Sequence, residues 1–320
     1  MDSTAGVILS LCAAALWSVS PMAFASAGRR IGAFRVNLLR IGLSSLALFV
    51  LLGIAWLLPG ARPVLPRTQE VYWLALSGIA GMAIGDAFYY DALIRLGPRR
   101  ALQILTLSPV GAALLAWAWL GETMRPTELA GIGVVLAAVA YAIYVERVAE
   151  GDVRREPGHV SAAGVFNGLL AALFAGAGAV LGRQAFTLQP DLGTLPATAV
   201  RVGAAGAVLW LAPLITGVGW RTAAALGDPH IRKRVILGTI AGPIAGMLCY
   251  VAALKYAKAG TVSTLSAMSP IMIIPLVAWR YKTRVRKRAI LAALVAIVGV
   301  GLLSWEPART EREPFTWCGV

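Results

Sequence analysis

An all-α integral membrane protein, built as ten transmembrane helices in two inverted five-helix repeats, is the fold class this sequence predicts. Three observations carry it. Hydrophobic residues make up 58% of the 320 and charged residues only 14%, with a mean hydropathy of +0.75; a soluble domain carries about 25% charged residues. Ten apolar segments come close to the roughly 20 residues that a bilayer-spanning helix needs. A single offset of 161 residues superposes Ser108-Pro109 on Ser269-Pro270, Arg40-Ile41-Gly42 on Arg201-Val202-Gly203, Gly85 on Gly246, Tyr89 on Tyr250 and Ala92-Leu93 on Ala253-Leu254. Chance rarely holds one offset across so many special residues, so the chain is internally duplicated.

The first segment, 5–27, ends near Ala25-Ser26-Ala27, which looks like a signal-cleavage site. Met1-Asp2-Ser3-Thr4 lacks the basic start of a signal peptide, and Ala14-Ala15-Leu16-Trp17 recurs as Ala171-Ala172-Leu173-Phe174. The segment therefore reads as a membrane helix. Its offset is 157, which a four-residue insertion before the seventh segment explains. Segments 34–58, 71–94, 99–120 and 127–145 complete the first repeat; 160–182, 194–216, 235–256, 259–279 and 287–304 form the second. Residues 1–145 are thus one repeat, 146–159 a charged linker, 160–305 the other repeat and 306–320 a flexible polar tail. An odd number of spans per repeat makes the second enter the bilayer from the opposite side. Glycines recur inside these segments (Gly78, Gly81, Gly85; Gly176, Gly178, Gly182; Gly238, Gly242, Gly246). Small residues there permit close helix packing in lipid.

The net charge of +14 lies in short basic clusters between the segments. Such clusters set orientation and touch anionic headgroups, so the bilayer and not nucleic acid is the partner they imply. Alternate loops carry 19 basic residues on one side and 8 on the other, which places both termini outside the cytoplasm by the positive-inside rule. Cys12, Cys249 and Cys318 show no metal-ligand spacing or disulfide framework, and His159 and His230 sit in loop-like stretches. No metal, cofactor or catalytic set is expected. Trp56, Trp73, Trp117, Trp119, Trp220, Trp279 and Trp305 lie near segment ends, as interfacial anchors do.

Proline within a helix frees the carbonyl four residues earlier, and a bare carbonyl at membrane depth needs a neighbour, a hydroxyl or cavity water. Ser108, Pro109, Ser269 and Pro270 are therefore expected at kinks, lining a central cavity or merely packed with the serine bonded back to the preceding turn. Pro21 and Pro275 free Trp17 and Ile271 in the same way. Asp86 lies about 5 Å from the middle of the third segment, where a carboxylate costs about 2.5–3.5 kcal/mol on insertion scales. It should face the bundle and have a partner. Tyr89 and Tyr90 share its face at i+3 and i+4, and Tyr250 enters from the symmetric segment. Asp91 precedes Arg95 by four, an ordinary helix-end ion pair.

Arg40 is the expected partner of Asp86, with snorkelling to the interface as its alternative. Its repeat mate Arg201 has Met247 where Asp86 would stand. Arg201 is either bound to a headgroup or carbonyl, or free to hold the carboxylate or phosphate of a substrate. Trp17, Phe174 and Gln103 are candidate cavity walls. Glu122 ends the fourth segment and pairs locally with Arg125 or caps the next helix.

The ordered set resembles the EamA-like branch of the drug/metabolite transporter superfamily. It comprises five segments per half, an Arg near the start of the second, a Gly/Tyr-rich third ending in Ala-Leu, Ser-Pro in the fourth and Leu120-Gly121-Glu122 after it. The resemblance covers essentially the whole chain. It implies a ten-helix carrier in the plasma or inner membrane, moving a small metabolite, amino acid-like or amphipathic, by alternating access and often outward. Members usually keep both termini in the cytoplasm, against the charge count. The second half also departs from the pattern, with Trp279-Arg280-Tyr281-Lys282 where Gly-Glu is expected. Asp86, Tyr89, Tyr90, Tyr250, Arg201 and Arg40 would supply polar contacts or coupling. The competing expectation is a membrane enzyme acting on a lipid or lipid-linked substrate. A homodimer is left open.

Overall fold

The computed structural model describes residues 3–58, 62–120, 126–149, 161–256, 265, 268–281 and 287–303. Among the described residues every regular element is a helix. In the first half these are α1 (Ser3–Ile31), α2 (Ala33–Leu57), α3 (Thr68–Gly78), α4 (Asp86–Leu96), α5 (Pro98–Leu105), α6 (Ser108–Leu120) and α7 (Pro126–Ala149). The second half holds α8 (Ala162–Leu188), α9 (Thr194–Ile215), the short α10 (Val218–Ala224), α11 (Pro229–Thr239), α12 (Met247–Tyr256), α13 (Ser269–Tyr281) and α14 (Lys287–Leu303). Among the described residues, five stretches are long and apolar enough to cross a membrane: Thr4–Ile31, Ala33–Leu57, the composite Thr68–Leu96, Ala162–Leu188 and Thr194–Ile215. Leu129–Tyr141, Ser269–Arg280 and Ile290–Leu302 are shorter apolar helices.

Two glycines make the turns that chain these helices end to end. Gly32 and Gly97 both adopt φ 86, a left-handed setting that side-chain-bearing residues rarely take. Each is the lone residue between two helices. Ser161 caps α8, its Oγ accepting the N–H of Gly164 at 3.1 Å, which satisfies one of the donors that a helix start leaves over.

The internal duplication reappears as local structure. α3 and α4 are joined by a π-helical segment, Ile79–Gly85, and α11 and α12 by another, Ile240–Gly246. These ranges are separated by the same 161 residues that align the two halves. The Asp86 N–H bonds to the Gly81 carbonyl and the Met247 N–H to the Gly242 carbonyl, both spanning five residues. π-Segments of this kind cluster at functional sites. Nothing in Ile79-Ala80-Gly81 or Ile240-Ala241-Gly242 distinguishes them from ordinary small-residue helix.

The halves exchange their first helices. α1 packs on α11, α12 and the π-segment between them, and on α13; α8 packs on α3, α4, the π-segment between them, and on α6. α2 lies against α9, and α7 against α14. Glycines permit the closest approaches. A Cβ on Gly78 would stand 1.9 Å from the carbonyl oxygen of Arg201, and one on Gly176 would stand 2.7 Å from that of Ser108. Gly85 faces Phe174, and Gly246 faces Trp17, its repeat mate. The small-residue reading of the sequence thus becomes helix contact at named points.

Candidate functional site

The Ser-Pro pairs break their helices where the sequence suggested kinks. α5 ends at Leu105, Thr106 and Leu107 make a tight turn through bonds to Gln103 and Ile104, and α6 begins at Ser108. α13 likewise begins at Ser269, after a turn in which Met268 bonds to the Leu265 carbonyl at 3.1 Å. Pro109 and Pro270 therefore sit in the first turn of a new helix, where a missing N–H costs nothing. The Ser108 carbonyl packs at Gly176 of α8, and Ser18 of α1 donates to the Ser269 carbonyl at 2.9 Å. The two pairs thus sit at equivalent contacts, each against the first helix of the opposite half. Pro270 also lines a small cleft with Gln103, Thr106, Ala138 and Ala292.

Asp86, released by the π-segment as the first residue of α4, is half-buried and ion-paired with the buried Arg40 of α2. Arg40 donates a second bond to Asn37 Oδ1 at 3.2 Å, and its guanidinium carbon stands 5.3 Å from the centre of the Tyr90 ring. Tyr89 and Tyr90 are buried and meet edge to face at 5.3 Å; Phe24 of α1 closes the other edge of Tyr90 at 5.4 Å. The Arg40–Asp86 pair expected from sequence is therefore made, in a setting whose partners leave it formally neutral. Asn37 is the member that sequence reasoning missed. A neutral amide in an apolar segment carries no signal until its neighbour three residues on is known to be a buried arginine.

A second group gathers on the other half. Tyr250 of α12 stacks on Trp17 of α1 at 5.3 Å, tilted by 36°, and lies within electrostatic range of Arg201 on α9. Trp17 also donates its indole N–H to the Gly242 carbonyl in the π-segment at 3.3 Å. Phe174 stacks on Phe88 at 6.0 Å, so both π-segments are covered by the repeat-related aromatic of the opposite half. Arg201 Nε is buried and makes no hydrogen bond.

Other polar residues tie helices together. Asp91 pairs with Arg95 at 2.5 Å, as its spacing predicted, and also accepts from Asn167 of α8 at 2.6 Å. Ser77 donates to the Gly178 carbonyl at 2.5 Å. Arg99 and Arg100, counted among the loop cations, are buried in the first turn of α5, and Arg100 donates to the Leu96 carbonyl at 3.2 Å. Glu122, Arg125, Trp305 and Cys318 lie outside the described residues.

This architecture has relatives. The EamA-like transporter family matches residues 4–144 and 162–305, one copy in each half. Chains of solved structures also match; one, titled only as the crystal structure of a protein, has a TM-score of 0.57 and 19% identity over 94% of this chain and 96% of its own. That likeness speaks for the fold alone. No curated protein matches. With both halves matched and the same repeat seen in its helices, the chain belongs to the EamA-like transporter family.

Proposed function

We propose that the protein is a secondary transporter of the plasma or inner membrane that moves a small metabolite, amino acid-like or amphipathic, outward by alternating access. Ten spans form two five-helix repeats, and the odd number in each inverts the second relative to the first. The carrying observation is the exchange of first helices between halves, each laid over a π-segment of the other. A substrate between the halves would touch both exchanges at once, so a rocking motion of one against the other opens the site to either side.

The substrate contacts come from α1, α3–α4 and α5–α6 with their repeat mates α8, α11–α12 and α13. Tyr89, Tyr90 and Tyr250 supply hydroxyls, and the Ser-Pro breaks supply carbonyls. Proton coupling through Asp86 requires that Arg40 release it during the cycle. Purified protein in proteoliposomes, tested on a metabolite panel guided by comparing cells that lack or overproduce it, should show saturable flux. Absence of flux for every member would overturn the reading. Unchanged gradient-dependent transport after Asp86→Asn would remove that carboxylate from coupling. The basic-loop asymmetry supports termini outside the cytoplasm. An impermeant thiol reagent should then label Cys318 on intact cells carrying a form without Cys12 and Cys249.

A further inference from the structure

We infer that the Arg201 guanidinium is the binding point for an oxyanion, the carboxylate or phosphate of the transported compound; this rests on the transporter reading above. Duplication supplies the control. Arg40 occupies the repeat-related position and has three partners: the carboxylate of Asp86, the amide of Asn37 and the ring of Tyr90. The residues 161 positions on are Met247, Thr198 and Val251. None of them carries charge, and the Thr198 hydroxyl is spent on the Thr194 carbonyl at 2.8 Å. The second half has kept the arginine and lost everything that neutralises it.

What surrounds Arg201 agrees. Arg201 has no part in the ion pairs that Arg30, Arg40 and Arg95 make. Its buried Nε has no acceptor, as is also true of Arg40 Nε, so the missing carboxylate is what separates the two. Gly182 of α8 faces the guanidinium, so close that even a Cβ would stand 3.5 Å from Cζ and 3.7 Å from Nε. A larger residue there would crowd both the guanidinium and Ser77 Oγ, which a Cβ would meet at 2.9 Å. Tyr250, the repeat mate of Tyr89, stacks on Trp17 at 5.3 Å. An unpaired cation in this setting is costly. A planar fork of N–H donors matches a carboxylate or phosphate better than any other ligand of small size. Arg40 therefore holds the bundle together, and Arg201 waits for charge from outside it.

A lipid headgroup presents the same chemistry, and the test separates the sources. Full-length protein is placed in phosphatidylcholine nanodiscs and its melting midpoint followed with benzoate, succinate or inorganic phosphate, against benzamide and succinamide. At least one anion should raise the midpoint by a few degrees in a saturable way while its amide does not. Arg201→Met should weaken that binding by about tenfold or more, as loss of a charge-assisted bond does. Arg201→Met should also melt no lower than wild type without anion, because it removes an uncompensated charge; Arg40→Met should melt lower. If Arg201→Met does not fold, Arg201→Lys keeps the charge and lacks the fork, and it should still bind more weakly. No shift with any anion, or equal shifts in wild type and variants, would overturn the assignment. A shift produced only by adding phosphatidylglycerol, and lost in the variants, would give the site to a headgroup and overturn its role in cargo binding. The readout needs no flux: anion binding without transport would remove the carrier reading, and transport of neutral compounds indifferent to Arg201→Met would remove this one.

Discussion

At the scale of single residues, the Arg40–Asp86 pair decides most. Each charge alone would be expensive at membrane depth, and together they are tied by a salt bridge, an amide and a ring. Breaking a buried pair by removing one partner typically costs about 3–5 kcal/mol, whereas replacing both by apolar groups costs far less. Arg40→Met and Asp86→Leu should each lower the melting midpoint in nanodiscs sharply, and the double variant should recover most of the loss. Additive losses would mean that the two side chains act independently. The pair was legible in the sequence because an acid and a base in adjacent apolar segments each demand a partner. Its amide, Asn37, was not, since a neutral polar side chain in lipid makes a weaker demand. Nor could one sequence reveal that Arg99 and Arg100 turn inward, for burial there depends on where Gly97 aims α5.

At the scale of elements, glycine placement can be tested against its own control. Gly78→Ala would drive a Cβ to within 1.9 Å of the Arg201 carbonyl, against backbone that has nowhere to move. α3 and α9 must separate, at a cost of about 1–3 kcal/mol or more. A Cβ on Gly53 of α2 meets nothing within 4 Å. Gly53→Ala should therefore be neutral or mildly stabilising, by about 0.5–1 kcal/mol. Equal effects at the two sites would refute the packing role. The start of α11 offers a pH test. Asp228 accepts the His230 N–H at 2.7 Å and meets Arg30 of α1 at 3.3 Å. The His230 N–H chiefly holds this carboxyl below the usual range, with a smaller opposing push from desolvation and further help from Ile231 N–H and Arg30. A depressed carboxyl stabilises the folded state above its unfolded value, about 3.9, and loses that contribution as pH falls through its folded value. The melting difference between wild type and Asp228→Asn should accordingly shrink below about pH 4. A difference that is constant down to pH 2 would exclude the charge. The five long apolar helices were readable from apolar length alone. The π-segments were not, because one extra residue absorbed in a helix leaves no mark on hydrophobic pattern.

At the scale of the whole molecule, the duplication was legible because Ser-Pro, Arg and Tyr survive at one spacing; the exchange of first helices was not, because spacing says nothing about which half a helix touches. The exchange predicts that residues 1–150 and 151–320, made as separate chains, are each protease-sensitive in membranes and become protected when made together. A protected half on its own would contradict it. There is a further consequence for how such a chain comes into being. α1 is made well before the surface it belongs on, Pro229–Tyr256. Throughout most of synthesis it must wait in lipid without the carbonyls of Ser269 and Gly238 to which Ser18 and Ser20 later donate. The Ser18 hydroxyl tolerates the wait by bonding within the helix, to the Ala14 carbonyl at 2.7 Å. Maturation is therefore gated by the last third of the message, and a chain cut short before Pro229 would carry an α1 that never meets this surface.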